Sequence, residues 1–205
     1  MATHLLKRAP SRPADALSPL PEVALILARL HEACGPARYS FALWLAHQAK
    51  GPLFWIAPDW GAAPLHPAGM APFLNPGSVT FVSPRRPEEV LWTMEEVLRA
   101  GTVPLVVADL PGPPALTPVR RLHLAAETGA KASGMAPLGL ILTPGEGGAQ
   151  GIESRWHMAQ DHRANTDAWS LTRLRARNAP PQSWQLTGLP HAPKLTSRGS
   201  DAEIA

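Results

Sequence analysis

The sequence predicts an α/β fold: an open parallel sheet flanked by helices, with a C-terminal antiparallel strand extension. Three observations lead there. Short apolar runs recur at Leu53 to Ala57, Val79 to Ser83, Leu105 to Leu110 and Leu138 to Thr143, as in strands buried on both faces. Segments with apolar residues at three-to-four spacing separate them, the pattern of crossover helices. After Pro144 the pattern changes to alternation of apolar and polar residues, which suits antiparallel strands with one packed and one wet face.

In chain order, residues 1–19 form a polar tail broken by Pro10, Pro13 and Pro19. Glu22 to Gly35 reads either as a helix or as a segment ending in a short strand, Leu30 to Cys34, since an apolar run of this length fits both. Arg38 to Lys50 is helical, with Phe41, Trp44, Leu45 and Gln48 on one stripe and Gly51-Pro52 as the stop. Pro58 to Gly77 is a long irregular crossover with a helical turn around Met70 to Leu74. Pro87 opens a helix to Ala100: Glu88 and Glu89 suit its positive end, Val90, Leu91, Met94, Val97 and Leu98 form its stripe, and Arg99 suits its negative end. A further helix runs from Thr117 to Ala132. Strands follow at Ser154 to Gln160, Trp169 to Arg177 and Ser183 to Leu189, joined by turns at Asp161 to Asp167 and Asn178 to Pro181. The chain thus divides into an N-terminal disordered tail (1–19), one domain (20–189, core 20–144 and antiparallel strands 154–189), and a C-terminal disordered tail (190–205).

Composition narrows the class. The chain has 205 residues, 45% hydrophobic and 17% charged, with one cysteine. A disulfide scaffold, a zinc ribbon and a membrane-spanning run are excluded. Lys7, Arg8 and Arg12 lack a secretory apolar core behind them, so the expectation is a soluble cytoplasmic protein. The net charge is +3 from 19 basic and 16 acidic residues. Arginine makes up fifteen of the basic residues, a bias that codon composition explains more simply than nucleic-acid binding does. Prolines number 24, about 12% against a usual ~5%. They cluster between the periodic segments and so punctuate a fold.

Ligands of open α/β sheets bind at the carboxyl ends of the strands. Gly35-Pro36-Ala37-Arg38-Tyr39-Ser40 stands where a phosphate loop would stand, but lacks the second glycine and the lysine-hydroxyl pair that hold phosphate and magnesium. Asp109 ends an apolar run, either as a magnesium-binding acid or as a residue capping the next turn. His157 and His162 have no metal-ligand spacing. His31 beside Glu32 suits a local pair, and Gly145 to Gly148 suits a flexible hairpin connection. No nucleophile with a base and an orienting acid is visible, so no catalytic residue and no cofactor is assigned. Arg173, Arg175 and Arg177 alternate along one strand and should share a face. That face either grips a phosphate backbone or an acidic partner, or is a charged surface that resists aggregation. Trp156, Trp169 and Trp184 fall one to each C-terminal strand and should pack together, an exposed one being a partner anchor.

Leu-His-Glu before Gly35-Pro36, Leu53-Phe54-Trp55-Ile56-Ala57, the helix Arg86-Pro87-x-x-Val90-Leu91-Trp92-x-Met94-Glu95-Glu96, Val106-Val107-Ala108-Asp109 and Arg120-Arg121-Leu122-x-Leu124-Ala125-Ala126-Glu127 together resemble the ImuA family. The likeness spans roughly Leu20 to Leu189. It implies a RecA-like core and a part in the SOS response to DNA damage: an accessory protein of translesion synthesis and SOS mutagenesis, acting with ImuB and an error-prone DNA polymerase, with RecA or DNA as further contacts. Members have also been related to the division inhibitor SulA. Carried over from RecA, the vestigial nucleotide-site positions are Gly35, Pro36, Arg38, Ser40 and Asp109, with Asp59 the nearest match to the acid after the second strand. The missing lysine implies a degenerate phosphate loop and a non-catalytic adaptor. Arg173, Arg175, Arg177 and Trp169 are then the candidate partner or DNA contacts, a divergent ATPase is the alternative, and a SulA-like inhibitor a further one. Pro36, Pro58, Pro84, Pro111 and Pro144 each fall just after an expected strand; Pro36 is uninformative, since active relatives of the family can carry a proline there, but at the other four positions proline stiffens the turn and removes an N–H that phosphate would need.

Overall fold

A computed structural model describes residues 15–61, 65–162 and 166–197. The central sheet contains β3 (Leu30–Cys34), β4 (Leu53–Ile56), β5 (Val79–Val82), β6 (Leu105–Asp109) and β7 (Leu138–Thr143). All five run parallel, in the order β3-β7-β6-β4-β5. β8 (Ser154–Gln160) joins β3 in parallel on its other side, and β9 (Ala168–Ala176), β10 (Gln182–Thr187) and β11 (Lys194–Ser197) continue antiparallel from it. The fold is therefore mixed α/β with a large, mostly parallel sheet and an antiparallel C-terminal extension. Among the described residues no helix is long and apolar enough to cross a membrane.

Helices cover both faces. α1 (Arg38–Ala49) is buried almost all round through Phe41 to Ala46, because it lies between the sheet and a separate hairpin, β1 (Ala16–Leu20) with β2 (Val23–Ile26). A short helix, α2 (Pro67–Met70), interrupts the crossover after β4 and buries Met70. α3 (Pro87–Ala100) and α4 (Leu116–Ser133) cover the opposite face with Val90, Met94, Leu98, Val119, Leu122, Ala125 and Ala126. The Glu89 carboxylate accepts from the backbone N–H groups of Arg85 and Arg86 and so caps α3, and Gly101 ends it in the left-handed region. α3 and α4 approach so closely that a Cβ on Gly129 would stand 2.1 Å from the Leu98 carbonyl oxygen.

Three differences from the sequence expectation concern segments at the sheet's margins. Glu22 to Cys34 is not a helix: Val23 and Leu25 point inward from β2, and a turn with Ala28 in the left-handed region leads into β3. The expected tail at 1–19 ends in a strand, β1, whose Pro19 is tolerated at a sheet edge. The expected tail at 190–205 contains β11, paired to β10 from Trp184↔Ser197 to Thr187↔Lys194. Residues 1–14 and 198–205 lie outside the described residues.

Candidate functional site at the carboxyl edge of the sheet

The parallel strands end along one edge, and the expected prolines stand there. Pro36, Pro58, Pro84, Pro111 and Pro144 each follow the last residue of β3, β4, β5, β6 or β7 by one or two positions. The turn from β3 to α1 is three residues long, Gly35 to Ala37. The Gly35 N–H donates to the Gly145 carbonyl (2.9 Å), the Ala37 N–H to the Met158 carbonyl (2.9 Å) and the Arg38 N–H to the Gly35 carbonyl (3.3 Å). Pro36 has no N–H. Gly35 is required: its φ is +87°, and a Cβ there would lie 2.5 Å from the Met158 carbonyl oxygen. A phosphate needs several free amides curled around it, and every amide of this turn is committed to a carbonyl. Gly35 to Arg38 therefore present no free amide to a phosphate.

Asp109 ends β6 on the face of the sheet that packs against α1, and is 8% exposed. The Tyr39 hydroxyl donates to its Oδ2 (2.6 Å), while Arg38 Nε lies 3.9 Å from its Oδ1. Arg38 also donates to the Gly35 carbonyl and the Tyr39 hydroxyl, and its guanidinium lies 4.6 Å from the centre of the Tyr39 ring. Its Nε is buried without a hydrogen-bond partner. Burial raises the Asp109 carboxyl above its ordinary range, with the Tyr39 bond and the Arg38 charge opposing. The Tyr39 hydroxyl is pushed up to about 12, first by burial and then by its bond to Asp109. Ser40 is half-buried in the first turn of α1.

Two cavities flank Asp109. One, of about 270 Å³, is lined by Tyr39, Trp55, Phe81, Asp59, Leu65 and Asp109 among others. The other, of about 230 Å³, is lined by Arg38, Trp60, Asp109 and the edge prolines Pro58, Pro111 and Pro144. The structure thus brings together Asp59, Asp109 and the Gly35 to Arg38 segment, three features that the sequence places apart. Among the described residues no group of three or more His, Cys, Asp or Glu side chains could hold a metal ion.

A second buried acid was less visible in the sequence. Glu32 is fully buried, and its Oε1 accepts from Thr143 Oγ1 (2.6 Å) and the Gly148 N–H (3.0 Å). Its Oε2 accepts from the Ala149 N–H (3.2 Å) and Arg155 Nε (2.5 Å). The Gly145 to Gly148 connection is not a hairpin, since β7 and β8 both pair with β3 in parallel, and its Gly148 N–H holds the chain's own carboxylate. Nor do His31 and Glu32 pair, since adjacent strand residues point to opposite faces. His31 bonds Ser154 Oγ (2.7 Å) and the Ile26 carbonyl (2.9 Å), and burial lowers its pKa to about 4. Cys34, also buried, has its thiol pushed up to about 12 by burial, with the Glu32 charge adding.

The arginine row divides. β9 pairs Arg175 with Arg155 but Arg173 with Trp156, so a bulge at Leu174 breaks the alternation. Arg173 turns inward, donating to the Glu22 and Pro180 carbonyls (both 3.0 Å) and lying over the rings of Trp184 (5.1 Å) and Trp156 (5.7 Å). Arg175 is exposed, and Arg177, beyond the strand end, has its Nε 3.4 Å from Glu153. The three do not form one gripping face. Trp156 and Trp184 stack at 6.2 Å, while the half-buried Trp169 meets the edge of His162 instead. The exposed tryptophans among the described residues are Trp60 and Trp92, at 46% and 59%. No protein-family model matches the chain, and no curated protein matches its sequence.

Proposed function

We propose that this chain is a non-catalytic accessory protein of SOS-induced translesion DNA synthesis, a RecA-like core without ATP chemistry that acts with ImuB and an error-prone polymerase. The ImuA resemblance supplies the process and the partners. The mostly parallel sheet supports the RecA-like part of the reading, and the segments that carry the resemblance fall on its helices and strand ends. One observation carries the non-catalytic part: the turn after β3 has no amide left for phosphate, because Gly35 and Ala37 donate to the Gly145 and Met158 carbonyls and Pro36 has none to give. Asp109, which a divergent ATPase would use for magnesium, is instead bonded to Tyr39.

Calorimetry with ATP and magnesium tests this reading. We expect no binding in the micromolar range; micromolar binding that Asp109→Asn abolishes would establish the ATPase alternative. Capture of partners on the tagged chain from DNA-damaged cells tests the process, with ImuB and the polymerase expected. Filamentation on overexpression without these partners would favour the SulA-like reading.

A further inference from the structure

We propose that the cavity between Asp59 and Asp109 receives an arginine side chain of a partner protein, so that the edge where a nucleotide would sit serves as a docking pocket for a cation. The inference rests on the non-catalytic reading. Its chemistry comes from the lining. Tyr39, Trp55 and Phe81 supply three aromatic rings, Trp55 and Phe81 being paired across β4 and β5 and Tyr39 stacking on Trp55 at 6.1 Å. Asp59 and Asp109 supply two carboxylates, and no basic side chain lines the cavity among the described residues. Arg38 lines the neighbouring cavity instead.

Aromatic faces with carboxylates attract cations and repel phosphates. Asp109 adds a further sign. Its side chain is 11% exposed, its Oδ2 accepts from Tyr39, and its Oδ1 has Arg38 Nε at 3.9 Å, an ion pair too long for a hydrogen bond. Phe81, on the edge strand, is a large apolar side chain left 45% exposed. At about 270 Å³ the cavity is smaller than the usual small-molecule site of roughly 300–1,000 Å³, and suits a single side chain. A guanidinium satisfies both demands, since it stacks on rings and presents a planar donor fork to carboxylates.

The test is an NMR titration of the full chain, following the Trp55 indole and Phe81 ring signals, with the peptide acetyl-Gly-Arg-Gly-amide. The same peptide with citrulline in place of arginine serves as the uncharged control. We expect saturable shifts with the arginine peptide, none with citrulline, and affinity weakened about fivefold by Phe81→Ala and by Asp59→Asn, both exposed positions. The absence of a saturable response to arginine, an equal response to citrulline, or unchanged affinity in Asp59→Asn would overturn the inference while leaving the non-catalytic reading intact. Saturable shifts with ATP and magnesium at the same signals would overturn the non-catalytic reading itself.

Discussion

Glu32 and Asp109 are both buried acids near the carboxyl ends of parallel strands, and their surroundings differ sharply. Glu32, on the face packed against α4, is enclosed by Thr143, two backbone amides and Arg155. Asp109, on the face packed against α1, has one hydrogen bond, from Tyr39, and an arginine at 3.9 Å, with a cavity on either side. Burying a charge is costly unless partners compensate for it. Full compensation marks Glu32 as structural, and incomplete compensation beside open space marks Asp109 as the acid with capacity for a ligand.

The contrast is broken most strongly from the Glu32 side. Glu32→Ala leaves the Arg155 guanidinium without its carboxylate and two amides without an acceptor, and should lower unfolding stability by about 3–5 kcal/mol in a urea titration. Next in size is the pH response of its strand neighbour. The folded pKa of His31 is lowered from 6.5 to about 4, so between those values the unfolded chain binds a proton that the folded chain refuses. Stability is therefore full above about pH 6.5 and declines as pH falls to about 4, by on the order of 3 kcal/mol in all. His31→Phe should flatten that part of the profile of melting temperature against pH.

Arg173 and Arg175 extend the comparison to the arginines. Arg173→Ala removes the donor to two carbonyls and the cation over two tryptophans, and should lower stability by on the order of 2 kcal/mol. Arg175→Ala should change it by less than about 0.5 kcal/mol. Equal effects would mean that the bulge at Leu174 does not separate them. The smallest expected change is at Asp109, and its sign is opposite. Its folded pKa is raised, so the folded state holds this proton to higher pH than the unfolded chain does, and stability falls as pH rises through the folded pKa. Asp109→Asn should therefore raise the melting temperature slightly at pH 7 and leave it unchanged under acid conditions where Asp109 is protonated.

How much of this was legible in the sequence depends on the range of the interactions involved. The bounds of α3 match Pro87 to Ala100 because proline, two glutamates and a terminal glycine all act within the segment. β7 matches Leu138 to Thr143 because an unbroken apolar run of that length has no other comfortable place. Asp109 and the edge prolines were visible as residues that end such runs. Glu32 was not, because Thr143 and Arg155 lie 111 and 123 residues away in the chain. The arginine row is broken by a bulge, and a bulge depends on the pairing of two strands, which β9 alone does not reveal. β1 and β11 are illegible for a related reason: Ala16-Leu17-Ser18-Pro19-Leu20 and Lys194-Leu195-Thr196-Ser197 carry too few apolar residues for a pattern and are strands by virtue of the backbones they pair with.

The three-residue turn after β3 also bears on what this lineage can become. Its two amides, of Gly35 and Ala37, tie the start of α1 to the segment after β7 and to β8, and Gly35 leaves no room for a side chain beside Met158. A phosphate loop needs a longer turn and liberated amides at once. Lengthening the turn would sever both ties before any phosphate could compensate, and no single substitution lengthens it. Point mutation can reshape the pocket around Asp59 and Asp109 step by step, while a phosphate loop at this turn would require breaking the fold first. The turn locks the start of α1 to β8 and to the segment after β7, at the expense of any later loop there.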